Sequence, residues 1–205
     1  MRIERMELGT MQVNCYIVWD PEIKKAYVID PGDCADKVYE RLNELGLSCG
    51  AILLTHGHFD HITGVNELKK LTGAEIYAGR KEAVLLADDD LNVSKRVRRP
   101  VTVTPDRLLD DGEVVEGFGM SFRTLFTAGH TKGSVCFYFE KDAAVFCGDT
   151  LFRRGIGRTD LPTGNEEELY YSITHKLLSL PGNTVCYPGH GEATDIASES
   201  KYFRA

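Results

Sequence analysis

The segment Ala51-Ile52-Leu53-Leu54-Thr55-His56-Gly57-His58-Phe59-Asp60-His61 joins a short apolar run to a cluster of titratable side chains. Ala51 to Leu54 reads as a buried strand. It empties into a stretch in which four of the seven residues from Thr55 to His61 can bind a transition metal. In extended chain, residues two apart point the same way. His56, His58 and Asp60 are therefore expected on one side, with a turn bringing His61 to an adjoining position. Gly57 is expected to remove a side chain that would crowd bound ions. A lone histidine is more often packed or solvated than a ligand, but three with an aspartate, directly behind an apolar strand, read as a metal site. The spacing logic is that of the helical His-Glu-x-x-His motif transposed to a loop.

Working outward, three more polar residues share that placement. His130 follows the apolar run Phe122 to Phe126, Asp149 follows Val145 to Cys147, and His190 follows Val185 to Tyr187. Each sits beside glycine, as Gly129-His130, Gly148-Asp149 and Gly189-His190-Gly191. A Gly-His or Gly-Asp turn alone is weak evidence. A shared position at strand ends is stronger, because ligands of layered α/β proteins collect where strands give way to loops. His175, among Ile173, Leu177 and Leu178, lacks ligand neighbours and reads as structural.

Short apolar runs at Cys15–Trp19 and Ala26–Ile29, broken by Asp20-Pro21 and Asp30-Pro31-Gly32-Asp33, read as strands. Val38, Leu42 and Leu45 recur at helical spacing, with Gly46 as a stop. A second helix is expected from about Gly64 to Leu71, capped by Thr63 and closed by Gly73. Later strands are expected around Val114, at Phe122–Phe126, Val135–Phe139, Ala143–Phe146 and Thr184–Tyr187, with a helix from about Glu166 to Leu178. Asp88 to Pro105 shows no period and is expected to be an exposed loop. Strands with interspersed helices in both halves predict an α/β protein of two packed sheets with helices outside, as one domain over residues 1–205.

The chain has 205 residues, 42% of them hydrophobic, enough for a sizeable core. A formal net charge of -7 argues against nucleic acid, whose binding needs clustered cations to release counterions. The run Lys95, Arg96, Arg98, Arg99 reads as a solvated patch. No segment has the apolar length of a signal peptide or a membrane span, which predicts a cytoplasmic protein without a membrane partner. Six cysteines show no Cys-x-x-Cys pairing and are expected to be reduced and structural.

Taken together, the spaced histidines with Asp60-His61, the Gly129-His130 turn, Cys147-Gly148-Asp149-Thr150-Leu151-Phe152 and Tyr187-Pro188-Gly189-His190-Gly191 resemble the metallo-β-lactamase-fold superfamily. More narrowly, the chain is similar to its glyoxalase II-like (hydroxyacylglutathione hydrolase-like) branch. The resemblance covers nearly the whole chain. It implies a four-layer αβ/βα sandwich, with one metal on His56, His58 and His130, a second on Asp60, His61 and His190, and Asp149 bridging the two. In Gly155-Ile156-Gly157-Arg158-Thr159-Asp160 it places Arg158 where the family sets a basic residue against the glutathione part of the substrate. Full-length glyoxalase II enzymes carry an additional C-terminal helical region. With fifteen residues after His190, the chain is expected to be the short, single-domain form.

Five imidazoles and two carboxylates exceed what one metal needs and suit two divalent ions. Zinc fits this donor set best, and iron and manganese accept it as well. The expected reaction is attack of a metal-generated hydroxide, oriented by Asp60, on a small thioester such as S-lactoylglutathione, with departure of a thiolate. Two other activities fit the same residues. A persulfide dioxygenase would use one iron on His56, His130 and Asp149, and a lactonase would use the same hydroxide. A non-catalytic metal-binding module is the remaining alternative.

Overall fold

A computed structural model describes residues 1–203. The first sheet consists of β1 (Arg2–Leu8), β2 (Val13–Trp19), β3 (Lys25–Ile29), β4 (Ser48–Leu54), β5 (Glu75–Gly79) and β6 (Arg107–Leu109), in that spatial order. Pairing is antiparallel through β3 and parallel from β3 to β6. The second sheet is built from β7 (Val114–Gly117), β8 (Met120–Phe126), β9 (Val135–Phe139) and β10 (Ala144–Gly148). After the small hairpin β11 (Leu151–Phe152) and β12 (Gly155–Ile156) it is completed by β13 (Val185–Pro188) and β14 (Thr194–Asp195). Its spatial order is β14-β13-β10-β9-β8-β7, and the β10–β13 pair is parallel.

Three apolar layers follow from strand parity. In β2, Tyr16 and Val18 point between the sheets, while Cys15 and Ile17 point to the opposite face. In β4, Ala51 and Leu53 go inward and Ile52 and Leu54 outward; in β9, Val135, Phe137 and Phe139 go inward and Cys136 and Tyr138 outward. Both faces of the central strands are covered, so these runs are apolar throughout instead of alternating with polar residues. The helices α1 (Ala35–Glu44) and, further on, α3 (Val65–Thr72) cover the first sheet through Val38, Leu42, Val65 and Leu68. The second sheet is covered by α5 (Glu166–Tyr171) and α6 (Ile196–Phe203), through Leu169 and Ile196. Between the sheets, Phe122, Phe137, Phe139 and Phe146 pack edge-on or tilted. The result is the expected four-layer αβ/βα sandwich.

Several local expectations change. Thr63 does not cap the second helix; it ends the short α2 (Phe59–Ile62), with its hydroxyl donating to the Phe59 carbonyl, and α3 starts from Gly64. Gly73 closes α3 in the left-handed conformation, as expected. The expected helix from Glu166 to Leu178 is α-helical only to Tyr171 and continues as a π-helical turn, Ser172–Leu177. Residues 88–105 are not a wholly exposed loop. After α4 (Ala83–Leu86) the chain folds back, burying Asn92, Val93, Ser94 and Val103, and the Asn92 carbonyl accepts the Phe59 N–H. The pair Arg99–Asp33 ties this segment to the loop after β3. All six cysteines are free. Among the described residues, no helix is long and apolar enough to cross a membrane.

Candidate metal centre

The backbone turns sooner after β4 than an extended reading allows. His58 is the last extended residue, at φ -66 and ψ 150, and Asp60 and His61 already belong to the first turn of α2. His56, His58 and Asp60 therefore do not line up on one side. His56 and His58 group with His130, from the loop between β8 and β9, whereas Asp60 and His61 group with His190, which follows β13. Gly57 also has a different role. A Cβ there would come within 2.7 Å of Leu85 Cδ2 and 2.8 Å of Leu86 Cδ2, so glycine admits α4 against the loop and does not clear space for ions.

In the first trio, His130 Nε2 lies 2.8 Å from His58 Nδ1 and 3.2 Å from His56 Nε2. In the second, His190 Nε2 is 3.2 Å and His61 Nε2 4.0 Å from Asp60 Oδ2. Asp149, just after β10, stands between them. Its Oδ1 is 3.3 Å from His61 Nε2, and its Oδ2 is 3.7 Å from both His130 Nε2 and His190 Nε2. All seven sequence candidates thus meet in one cluster, His56, His58, His61 and His130 fully buried and His190 at the rim.

Neighbouring groups orient the rings. His130 Nδ1–H donates to the Arg158 carbonyl at 2.7 Å, which leaves Nε2 with its lone pair facing the cluster. His61 Nδ1–H donates to Asp30 Oδ2 at 2.9 Å. The Thr55 hydroxyl donates to the same Asp30 oxygen and lies 3.2 Å from His56 Nδ1, whose N–H it accepts. Asp30 Oδ1 takes the Thr55 N–H at 2.8 Å. A single buried carboxylate therefore sets the tautomer of a histidine in each trio, the arrangement that fixes metal-ligating imidazoles.

The protonation pattern agrees. Burial, reinforced by the neighbouring imidazoles, holds His58 down to about 3 and His56 and His130 below their ordinary range, so the first trio is neutral. Burial opposes charge on His61 as well, but Asp149 and Asp30 outweigh it and raise His61. Burial also opposes charge on Asp149, yet His61 beside it keeps that carboxyl ionised. Three neutral imidazole nitrogens crowded together in the first trio, with the ionised Asp149 carboxylate beside them and its Oδ1 buried without a hydrogen-bond partner, call for a cation. Imidazole with carboxylate suits zinc, iron or manganese, and the residues fit two such ions.

Arg158 does not reach the cluster with its side chain. Its guanidinium makes two 2.7 Å hydrogen bonds to Asp160 on the surface, and only its carbonyl touches a candidate ligand. His175 is exposed and stacked on Tyr171, with ring centroids 4.3 Å apart. It is a surface residue, outside the cluster and outside the core. Sequence reasoning missed Asp30 and Glu82. Asp30 follows the apolar run Ala26–Ile29 as the candidates follow theirs, so the same rule applies to it. Glu82, in the charged triplet Arg80-Lys81-Glu82, carries no such signal, yet it is 1% exposed and burial pushes its carboxyl up to about 7.

Residues 8–190 match the family model "Metallo-beta-lactamase superfamily". The chain is 42% identical to the probable metallo-hydrolase YqgX of Bacillus subtilis, over 97% of this chain and 94% of that one. It is 37% identical to the hydroxyacylglutathione hydrolase GloC of Haemophilus influenzae, covering 98% and 96%. Among solved structures it is similar to the BLEG-1 B3 metallo-beta-lactamase, with TM-score 0.93, 37% identity and coverage of 98% and 97%. It is also similar to TTHA1623 in a di-iron-bound form, with TM-score 0.87, 36% identity and coverage of 97% and 98%.

Proposed function

The chain belongs to the metallo-beta-lactamase superfamily, and from that membership we propose a two-metal hydrolase acting on a thioester of the S-lactoylglutathione kind. The observation that carries this reading is Asp149, with one oxygen toward His61 and the other toward His130 and His190. A single carboxylate in reach of both trios is what a shared pair of ions needs. Zinc is the expected metal, with iron or manganese as substitutes, and the di-iron form of TTHA1623 lends iron weight. Bound there, two divalent cations supply Lewis acidity and hydroxide at neutral pH.

The chain's own residues do the rest. Asp60, Asp149 and His190, at 12%, 13% and 28% side-chain exposure, form the mouth of the site, whereas the first trio is sealed. Substrate therefore enters past Asp60, which orients the attacking water. Asp60 and Asp149 contribute two negative charges against four from two divalent cations, so the site stays positive where an oxyanion develops. The leaving group decides among carbonyl substrates. An amide nitrogen must be protonated to depart, and Asp30 is committed to Thr55 and His61. A thiolate leaves without a proton. The reading is also supported by the 37% identity to GloC, which bears the hydroxyacylglutathione hydrolase name. The small thioester is the only partner proposed, and nucleic acid and membrane are not.

The test is hydrolysis of S-lactoylglutathione by protein purified without added metal, alongside its metal content and assays with a β-lactam, a lactone and a persulfide. Turnover of the thioester above the others supports the proposal. One iron per chain with oxygen uptake on the persulfide would replace it.

Arg158 is proposed to hold a carboxylate of the thiol carrier. Its pair with Asp160 is fully exposed, where water competes and exchange of partner is easy. Arg158→Ala is expected to raise KM for a glutathione thioester roughly ten- to a hundredfold with kcat little changed, because such binding is equal in ground and transition states. A small neutral thioester should not respond. Equal responses of the two substrates would remove Arg158 from substrate binding.

A further inference from the structure

Glu82 ends the short segment that leads from β5 into α4, and its carboxylate is buried without a cationic partner among the described residues. Its hydrogen bonds go instead to two loops that meet at the metal cluster. Oε1 accepts the Gly57 N–H at 2.8 Å, between His56 and His58. Both oxygens lie 2.9 Å from the Thr131 hydroxyl, which donates to them from the residue next to His130. The Ser134 hydroxyl lies 2.6 Å from that of Thr131 and accepts the Thr131 N–H, so the whole His130 turn is tied to the same carboxylate. The main chain adds to this contact. A Cβ at Gly133 would run into the backbone of Lys81 and Glu82, just as one at Gly57 would run into Leu85 and Leu86. One turn of chain thus abuts both loops that supply the first trio. No hydrogen bond from Glu82 reaches Asp60, His61 or His190.

We propose that Glu82 is a positioning residue for the inner metal site: it sets the spacing of the Thr55–His61 segment and the His130 turn, and thereby the affinity of His56, His58 and His130 for their ion. This rests on the two-metal reading above. The carboxylate touches no candidate ligand side chain and acts through the backbone on either side of them. Asp30 bonds directly to a ring of the second trio and reaches His56 of the first through Thr55, whereas the hydrogen bonds of Glu82 go only to the two loops that carry the first trio. Outer partners of metal ligands change affinity by roughly ten- to a hundredfold when removed. The effect here should fall on one ion.

The experiment is a zinc titration against a chromophoric chelator, with the inner step identified as the one that His58→Ala deletes. Glu82→Met keeps the length of the side chain and removes both acceptors. It is expected to weaken the inner step by roughly ten- to a hundredfold and leave the outer step unchanged. Glu82→Gln, whose amide oxygen can still accept from Gly57 and Thr131, should lose less than about tenfold, since neutral hydrogen bonds are weaker than charge-assisted ones. Thr131→Val removes one strut and should weaken the same step severalfold even if Glu82→Met fails to fold. A wild-type protein that binds two zinc ions, with variants whose two steps are unchanged or fall equally, overturns the assignment. A wild type that binds fewer than two overturns the metal reading itself, and this inference with it.

Discussion

On the two-metal thioesterase reading, Asp149→Ala is expected to cost the protein at least one of two bound ions and to lower thioester hydrolysis roughly a thousandfold, the equivalent of about 4 kcal/mol of transition-state stabilisation. Each histidine of the cluster serves one trio. Asp149 faces both, at 3.3 Å from His61 and 3.7 Å from His130 and His190. Metal analysis of the variant beside the wild type, with kcat measured at matched loading, is the check. A variant that keeps two ions and most of its turnover would mean that Asp149 does not link the two positions.

The second large effect contrasts two histidines. His58→Ala should reduce turnover by orders of magnitude, because it opens a sealed trio in which His58 Nδ1 sits 2.8 Å from His130 Nε2. His175→Ala should leave kcat/KM within about twofold. His175 stacks on Tyr171 at the surface, and such exposed contacts rarely move stability by more than about 0.5 kcal/mol. Steady-state hydrolysis under identical metal supplementation distinguishes them. Similar losses in the two variants would put the working site elsewhere.

Much of this arrangement is legible in the chain because strand ends announce themselves. Apolar runs such as Ala51–Leu54 and Val135–Phe139 are buried on both faces, and the polar residues that break out of them, His56, His130, Asp149 and His190, fall at the sheet edge where a site can form. Local patterning does not reveal how the backbone turns after such an edge. Alternation along an extended chain would put Asp60 with His56 and His58, but the N–H of His61 bonding the His58 carbonyl starts a helical turn and sends Asp60 to the other trio. Asp30 was hidden because Asp30-Pro31-Gly32-Asp33 is also a good turn sequence, and only the register of β3 beside β4 places it against Thr55 and His61. Glu82 was hidden for a stronger reason. A charged triplet at a helix start ordinarily faces water, and its burial depends on the His130 turn, which lies about fifty residues later in the chain. The buried part of residues 88–105 is of the same kind, since Asn92 and Ser94 are satisfied by Val101 within a fold-back that no periodicity signals.

Each trio draws on both sheets: His56 and His58 leave the first and His130 the second, and likewise Asp60 and His61 leave the first and His190 the second. On the two-metal reading an ion is thus a clamp across the seam between the halves of the sandwich. Ligands 72 residues apart, such as His58 and His130, come together only when the halves are docked. The unfolded chain has no comparable site, so binding is coupled to folding by mass action. An ion present at a hundred times its Kd adds about 2.7 kcal/mol to stability, and a second independent ion adds as much again. Such increments are a large fraction of the 5–15 kcal/mol that typically separates folded from unfolded domains. A chelator would then do more than silence the enzyme. Metal supply in the surroundings would set the fraction of chains that stay folded, and scarcity would be felt first as shortened protein lifetime.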